Sequence, residues 1–88
     1  MADIAKLTIR LNPADNIVVA RADLLPGAPI PGEGVTVKSR IPIGHKLAIK
    51  PLAKGDTVIK YGTDIGRVVA PIGLGEHAHV HNIKTKRW

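Results

Sequence analysis

Hydrophobic and polar positions alternate along Leu7-Thr8-Ile9-Arg10-Leu11, the period-two pattern of a strand with one buried face. Ile17-Val18-Val19-Ala20 is nearly continuous in apolar residues and predicts a short strand. Alternation returns at Val35-Thr36-Val37-Lys38 and at His45-Lys46-Leu47-Ala48-Ile49-Lys50, where His45, Leu47 and Ile49 have the same parity. Thr57 to Tyr61 and Ile65 to Ala70 predict two more strands, with Gly66 marking a bulge or a close backbone approach. Asn12-Pro13-Ala14-Asp15-Asn16 is turn chemistry. Arg21 to Leu25 has room for one helical turn, and Pro26 to Gly34, with three prolines and three glycines, reads as a loop. No longer helical period occurs. The pattern predicts a compact all-β domain spanning residues 1–88, built from about six or seven short strands with at most single helical turns.

Composition narrows this picture. The chain has 88 residues, 44% of them hydrophobic, yet no Phe and one each of Tyr and Trp, so the core must be Ile, Val and Leu. With no cysteine there is neither a disulfide nor a thiolate metal site. The N-terminal residues show no apolar signal segment and no run approaches a membrane span, so a cytoplasmic protein is expected. The formal charge of +6 invites a nucleic-acid reading. The basic residues are scattered, apart from Lys84, Lys86 and Arg87, and aromatic stacking platforms are missing, so nucleic acid ranks below an anionic small molecule or an acidic protein.

The chemistry concentrates in Gly75-Glu76-His77-Ala78-His79-Val80-His81-Asn82, which holds three of the four histidines. In an extended segment His77, His79 and His81 share one side, while Glu76 and Asn82 point to the other. Residues two apart on a strand lie about 6.5–7 Å apart at Cα, a spacing from which two imidazoles converge on one metal. The outer pair, about 13 Å apart if the strand is straight, does not share an ion easily. A single-metal site would therefore use His77 with His79, or His79 with His81, completed by other ligands. The competing explanation is a polar strand edge with hydrogen-bonded histidines. For His45 the parity with Leu47 and Ile49 favours a partly buried structural role, whereas the preceding Gly44 favours the mouth of a strand. Lys46 is either a solvated lysine or a cation for a carboxylate. Gly55, Gly62, Gly66, Gly73 and Gly75 are assigned to positive-φ turns or tight crossings, and Tyr61 to the core.

In order along the chain stand Asp15-Asn16-Ile17-Val18-Val19-Ala20, Ile41-Pro42-Ile43-Gly44-His45-Lys46-Leu47-Ala48-Ile49, Lys54-Gly55-Asp56, Val58-Ile59-Lys60-Tyr61-Gly62, Ile65-Gly66 and the histidine segment. This ordered set resembles the N-terminal SAF-type domain of the altronate/galactarate dehydratase family, which includes the small (alpha) subunit of sulfolactate sulfo-lyase. The resemblance runs from about Asn12 to Asn82. It implies a SAF-type β-clip (antifreeze-like) fold and lyase chemistry on a hydroxy acid, either a sugar acid or sulfolactate. It also tips His45 towards a catalytic role, while the residues themselves make Lys46 the candidate substrate-binding cation and His77, His79 and His81 the candidate ligands of a divalent metal, iron ahead of manganese or zinc.

In single-chain dehydratases of this family a much longer catalytic region follows the domain. The expectation is therefore a small subunit of a carbon–oxygen or carbon–sulfur lyase, inactive alone and working with a separately encoded large subunit. The basic end with Trp88 favours a natural terminus over an excised domain. The alternative is a non-catalytic β-clip module that binds a ligand or partner.

Overall fold

A computed structural model describes residues 7–30 and 32–85. The strands are β1 (Thr8–Ile9), β2 (Ile17–Ala20), β3 (Pro29–Ile30), β4 (Val35–Thr36), β5 (Lys46–Ala48), β6 (Thr57–Lys60), β7 (Thr63–Val68), β8 (His77–Ala78) and β9 (Ile83–Thr85). They form a four-stranded sheet in the order β1-β2-β5-β8, a two-stranded β3-β4 sheet and a three-stranded sheet in the order β6-β7-β9. Every pairing is antiparallel. Among the described residues there is no helix, and so none long and apolar enough to cross a membrane.

The strand predictions fall on β1, β2, β4, β5, β6, β7 and β8, and two further strands appear. β3 lies inside the stretch expected to be a loop, where Ile30 is buried opposite Val35. The helical turn expected over Arg21 to Leu25 is absent, because Leu24 is extended and bridges Ile41. Each residue's N–H donates to the other's carbonyl, at 2.8 and 2.9 Å, and both side chains are buried. Burying two branched side chains through one bridge outweighs a single helical turn, whose nucleation is unfavourable.

The backbone bonds reveal an internal repeat. Ala20, Leu24, Gly27, Ile41 and Gly44 make the same set of bonds as Ala48, Leu52, Gly55, Ile72 and Gly75. Leu24 bridges Ile41 as Leu52 bridges Ile72, Gly44 N–H donates to Ala20 as Gly75 N–H does to Ala48, and Gly27 N–H donates to Val37 as Gly55 N–H does to Val68. Each arm has its own core. The first packs Val18, Ala20, Leu24, Ile30, Val37, Ile41 and Leu47; the second packs Ile17, Ala48, Leu52, Val58, Val68, Ile72, Ala78 and Ile83. Neighbours Ile17 and Val18 on β2 point to opposite faces of the sheet and so serve different arms.

A polar joint locks β2 to the β6–β7 hairpin. Asn16 accepts from Ile59 N–H through Oδ1 and donates through Nδ2 to the Thr57 carbonyl, both at 2.8 Å. Asp15, 1% exposed, accepts from Gly62 N–H at 2.7 Å and from Asn12 N–H at 3.3 Å. Tyr61 is not a core residue: it sits 36% exposed in the hairpin turn with φ at 55°. The turn between β6 and β7 needs that backbone, which lifts the ring off the sheet. Gly66 meets the expectation of close approach, since a Cβ there would run into the Lys84 carbonyl of β9.

Candidate functional site

Two segments distant in sequence meet where β5 pairs with β8, in the register Lys46↔Ala78 and Leu47↔His77. Gly44, with φ at 86°, turns the chain so that His45 stands at the mouth of β5 rather than within it. Leu47 keeps the buried side that His45's parity implied, while His45 itself is half-buried against the histidines of the β8 edge.

His45 Nδ1 lies 2.8 Å from His77 Nε2. Its ring stacks on His79 with centroids 4.0 Å apart, and His77 and His79 lie nearly parallel at 5.4 Å and 11°. Placing His77 and His79 on one side therefore agrees with the alternation. The segment does not continue as a strand, however: β8 ends at Ala78 and residues 79–82 turn, with the His79 carbonyl accepting from both Asn82 N–H and Ile83 N–H. The turn brings the exposed His81 ring within 5.2 Å of His77, far nearer than a straight strand allows. It leaves His81 beside Asn82 Nδ2 at 3.1 Å and outside the group of three imidazoles whose nitrogens lie within 4.8 Å of one another.

Asn82, which parity placed on the far face, organises the site. Buried at 6% exposure, it donates to the His77 carbonyl and accepts from His79 N–H, both at 2.9 Å. Ser39 adds a support by accepting from His77 N–H at 3.2 Å. Asn three residues after a histidine is a turn signal that alternation alone hides. Glu76 closes its own turn, accepting from Gly73 N–H at 2.7 Å, and is no ligand.

One nitrogen each from His45, His77 and His79 lies within 4.8 Å of the others. Metal–imidazole bonds of about 2.0–2.1 Å place neighbouring donor nitrogens about 2.9–3.4 Å apart, so the 2.8 Å pair is close to ligand spacing. His79 Nδ1 is buried with no hydrogen-bond partner among the described residues, the kind of orphan that a bound ion or ligand atom satisfies. Burial holds His77 and His79 below the ordinary histidine value, and the charges of His45, His81 and Lys46 push the same way. Both rings are thus neutral at pH 7, the form that ligates metal. The donor set fits a divalent transition ion such as iron, manganese or zinc, with imidazole favouring iron and zinc over the harder manganese.

Lys46 projects beside this cluster, half-buried, and its ammonium is made less basic by burial and by neighbouring Lys60. A pocket of about 230 Å³ opens between Lys46, Lys60, Ile65, His79, Val80, Ile83 and Thr85. Alternation along β6 gave no chemical role to Lys60. A larger cleft of about 400 Å³, lined by Lys54, Arg67 and Lys84 among others, contains no histidine.

A domain of duplicated arms with no helix among its described residues and an open imidazole cluster at one sheet edge is a small β-type site-bearing module. Its family follows from comparison with known proteins: residues 6–86 match the altronate/galactarate dehydratase SAF domain, and the chain belongs to that family. It is 71% identical over 52 residues to (2R)-sulfolactate sulfo-lyase subunit alpha of Chromohalobacter salexigens, a match covering 59% of this chain and 55% of that one. The protein of the same name from Paracoccus pantotrophus is 59% identical over 54 residues, covering 61% and 81%. Altronate dehydratase of Escherichia coli is 42% identical over 79 residues, which cover 88% of this chain but 16% of that enzyme. The chain thus spans about half of the first relative and a small part of the dehydratase.

Proposed function

We propose that this chain is the small subunit of a two-component lyase that removes sulfite or water from a hydroxy acid, with the histidine cluster contributed to a site shared with a separately encoded large subunit in the cytoplasm. The observation that carries this is the convergence of His45 with His77 and His79 at an open sheet edge. Sulfolactate ranks ahead of a sugar acid because identity to the sulfo-lyase alpha subunits, 71% and 59%, exceeds the 42% to altronate dehydratase. Ile43 and Val80, beside the histidines in sequence, are 61% and 75% exposed, as expected of a surface that another subunit covers.

Elimination β to a carboxylate needs a base for the α-proton, a partner for the enolate-like carboxylate and help for the leaving group. His45, His77 and His79 would hold the divalent ion, iron first, which supplies Lewis acidity toward the hydroxy-carboxylate when bound. Lys46 orients the acid group by charge. Asn82 and Ser39 fix the backbone from which His77 and His79 project, so the rings keep their spacing. A proton-transfer role for His45 through His77 is the alternative to ligation, supported by the 2.8 Å contact between their ring nitrogens.

The test is purification of the complex with the large subunit and assay against sulfolactate, altronate and galactarate. The complex should turn over one of them while the chain alone turns over none. Robust turnover by the isolated chain, or none by the complex, overturns the proposal. In calorimetry with ferrous, manganous and zinc ions, His79→Ala should lose more than the 10–100-fold that outer-shell partners command, while His81→Ala stays near the parent. Equal losses from the two variants would move the ligand set.

A further inference from the structure

The seam between the four-stranded and three-stranded sheets carries a feature that metal ligation leaves unexplained. Lys46 comes from β5 and Lys60 from β6, and the two line one small pocket together with His79. Like charges placed together cost stability unless something offsets them. Neither lysine takes part in the Arg10–Glu33 or the Arg40–Asp23 ion pair. The Lys60 ammonium lies 5.3 Å from the centre of the Tyr61 ring, a cation–π contact that restrains but does not neutralise it. Tyr61 holds a left-handed backbone, with φ at 55°, that a bulky residue seldom adopts.

We infer that the pocket between Lys46 and Lys60 is the seat of the anionic head group of a small acid, a carboxylate or a sulfonate, set against His79. Its volume of about 230 Å³ is below that of drug-sized sites and suits a short acid. Ile65, Val80 and Ile83 give it an apolar wall, so a charge inside is less screened than one at the open surface. Two ammonium groups from different sheets grip one head group from two directions, whereas a single lysine would act as a point charge without orientation. Lys60 thereby becomes a substrate-positioning residue, and the β6–β7 hairpin, locked in place by Asp15 and Asn16, becomes part of the site. The larger basic cleft at Lys54 and Arg67 makes no such arrangement, since no imidazole faces it.

The identity of the acid rests on the lyase reading; the existence of the anion seat does not, and it is tested on the chain alone. The isotope-labelled chain is titrated by NMR with lactate and, separately, with methanesulfonate, in chelator and at constant ionic strength. Saturable shifts are expected at Ile65, His79, Val80 and Ile83. Tighter lactate binding makes the pocket a carboxylate seat, and tighter methanesulfonate binding a sulfonate seat. Lys60→Gln should weaken binding about tenfold, Lys46→Gln similarly, and Lys54→Gln, in the other cleft, should not. Two lysine variants are included so that one poorly folded protein does not decide the matter. No saturable shift at these residues with either anion, or equal weakening by Lys54→Gln, overturns the inference. Failure of the complex to act on any hydroxy acid would leave these shifts in place and count only against the lyase reading.

Discussion

The two arms of the molecule make the same backbone bonds and put them to different uses. In the first arm the turn Ile41-Pro42-Ile43-Gly44 is open, with nothing within 4 Å of where a Gly44 Cβ would sit. In the second, Ile72-Gly73-Leu74-Gly75 is packed under the first arm: Gly75's carbonyl accepts from Lys38 N–H at 2.8 Å, and a Cβ there would run into the Thr36 carbonyl. His45 and Glu76 occupy corresponding places, each donating its N–H back into its own turn. Glu76 spends its carboxylate capping that turn, while His45 meets the other histidines. A duplicated scaffold thus has one copy committed to packing and the other free to present chemistry. The hairpins differ likewise, the first held by the partly exposed pair Arg10–Glu33 and the second by the buried Asp15 and Asn16.

The largest expected effect separates the two turns. Gly75→Ala combines a left-handed backbone with overlap against a carbonyl, and should cost about 3 kcal/mol or more. Gly44→Ala has the strain without the overlap and should cost about 1–2 kcal/mol. Denaturant unfolding of both variants measures this, and equal losses would erase the distinction between a packed and an open turn.

Next come the hairpin ties. Asp15→Ala or Asn16→Ala removes a buried side chain and leaves part-buried amides unpaired, and should cost about 1–3 kcal/mol each. Glu33→Gln removes the charge of a partly exposed pair while keeping an acceptor oxygen for Arg10, and should cost about 1 kcal/mol. A larger loss from Glu33 than from Asp15 would reverse the ranking of the two hairpin ties. Asp15 also sets a pH dependence. Burial pushes its carboxyl up, but backbone N–H donors, Gly62 first, outweigh that and hold it below the ordinary aspartate value of 3.8. Its stabilisation is thus complete above about pH 4 and lost as pH falls through the depressed folded value.

The smallest effect belongs to the histidine edge. His77 and His79 are held below the ordinary 6.5, so the unfolded chain takes up protons first and stability should fall gradually as pH drops below about 6.5. Thermal melts from pH 7.5 to 5.5 in chelator should show this slope in the parent and a shallower one in a His77→Gln, His79→Gln double variant. An unchanged slope would place the titrating groups elsewhere.

The sequence by itself determined the class of fold and the neighbourhood of the site. Short apolar alternations punctuated by glycine left strands as the only way to bury Ile, Val and Leu, and alternation correctly put His77 and His79 on one side. The repeat was also on view, as Leu24-Leu25-Pro26-Gly27 against Leu52-Ala53-Lys54-Gly55 and Ile41 to Gly44 against Ile72 to Gly75, a signal that strand-by-strand reading passes over. Tertiary structure alone decided which histidine completes the cluster. His45 joins through an antiparallel pairing of β5 with β8, a long-range register that no local pattern encodes. It also ended β8 at Ala78, because the Asn82 side chain offers His79 N–H and the His77 carbonyl partners that replace the strand ladder and turn His81 away. Lys60 lay outside any local reading for the same reason: its neighbours across the pocket are Lys46, on a strand of another sheet, and His79, in the turn that follows β8. Local periodicity specifies which face a side chain takes, and only the pairing of distant strands specifies what it faces.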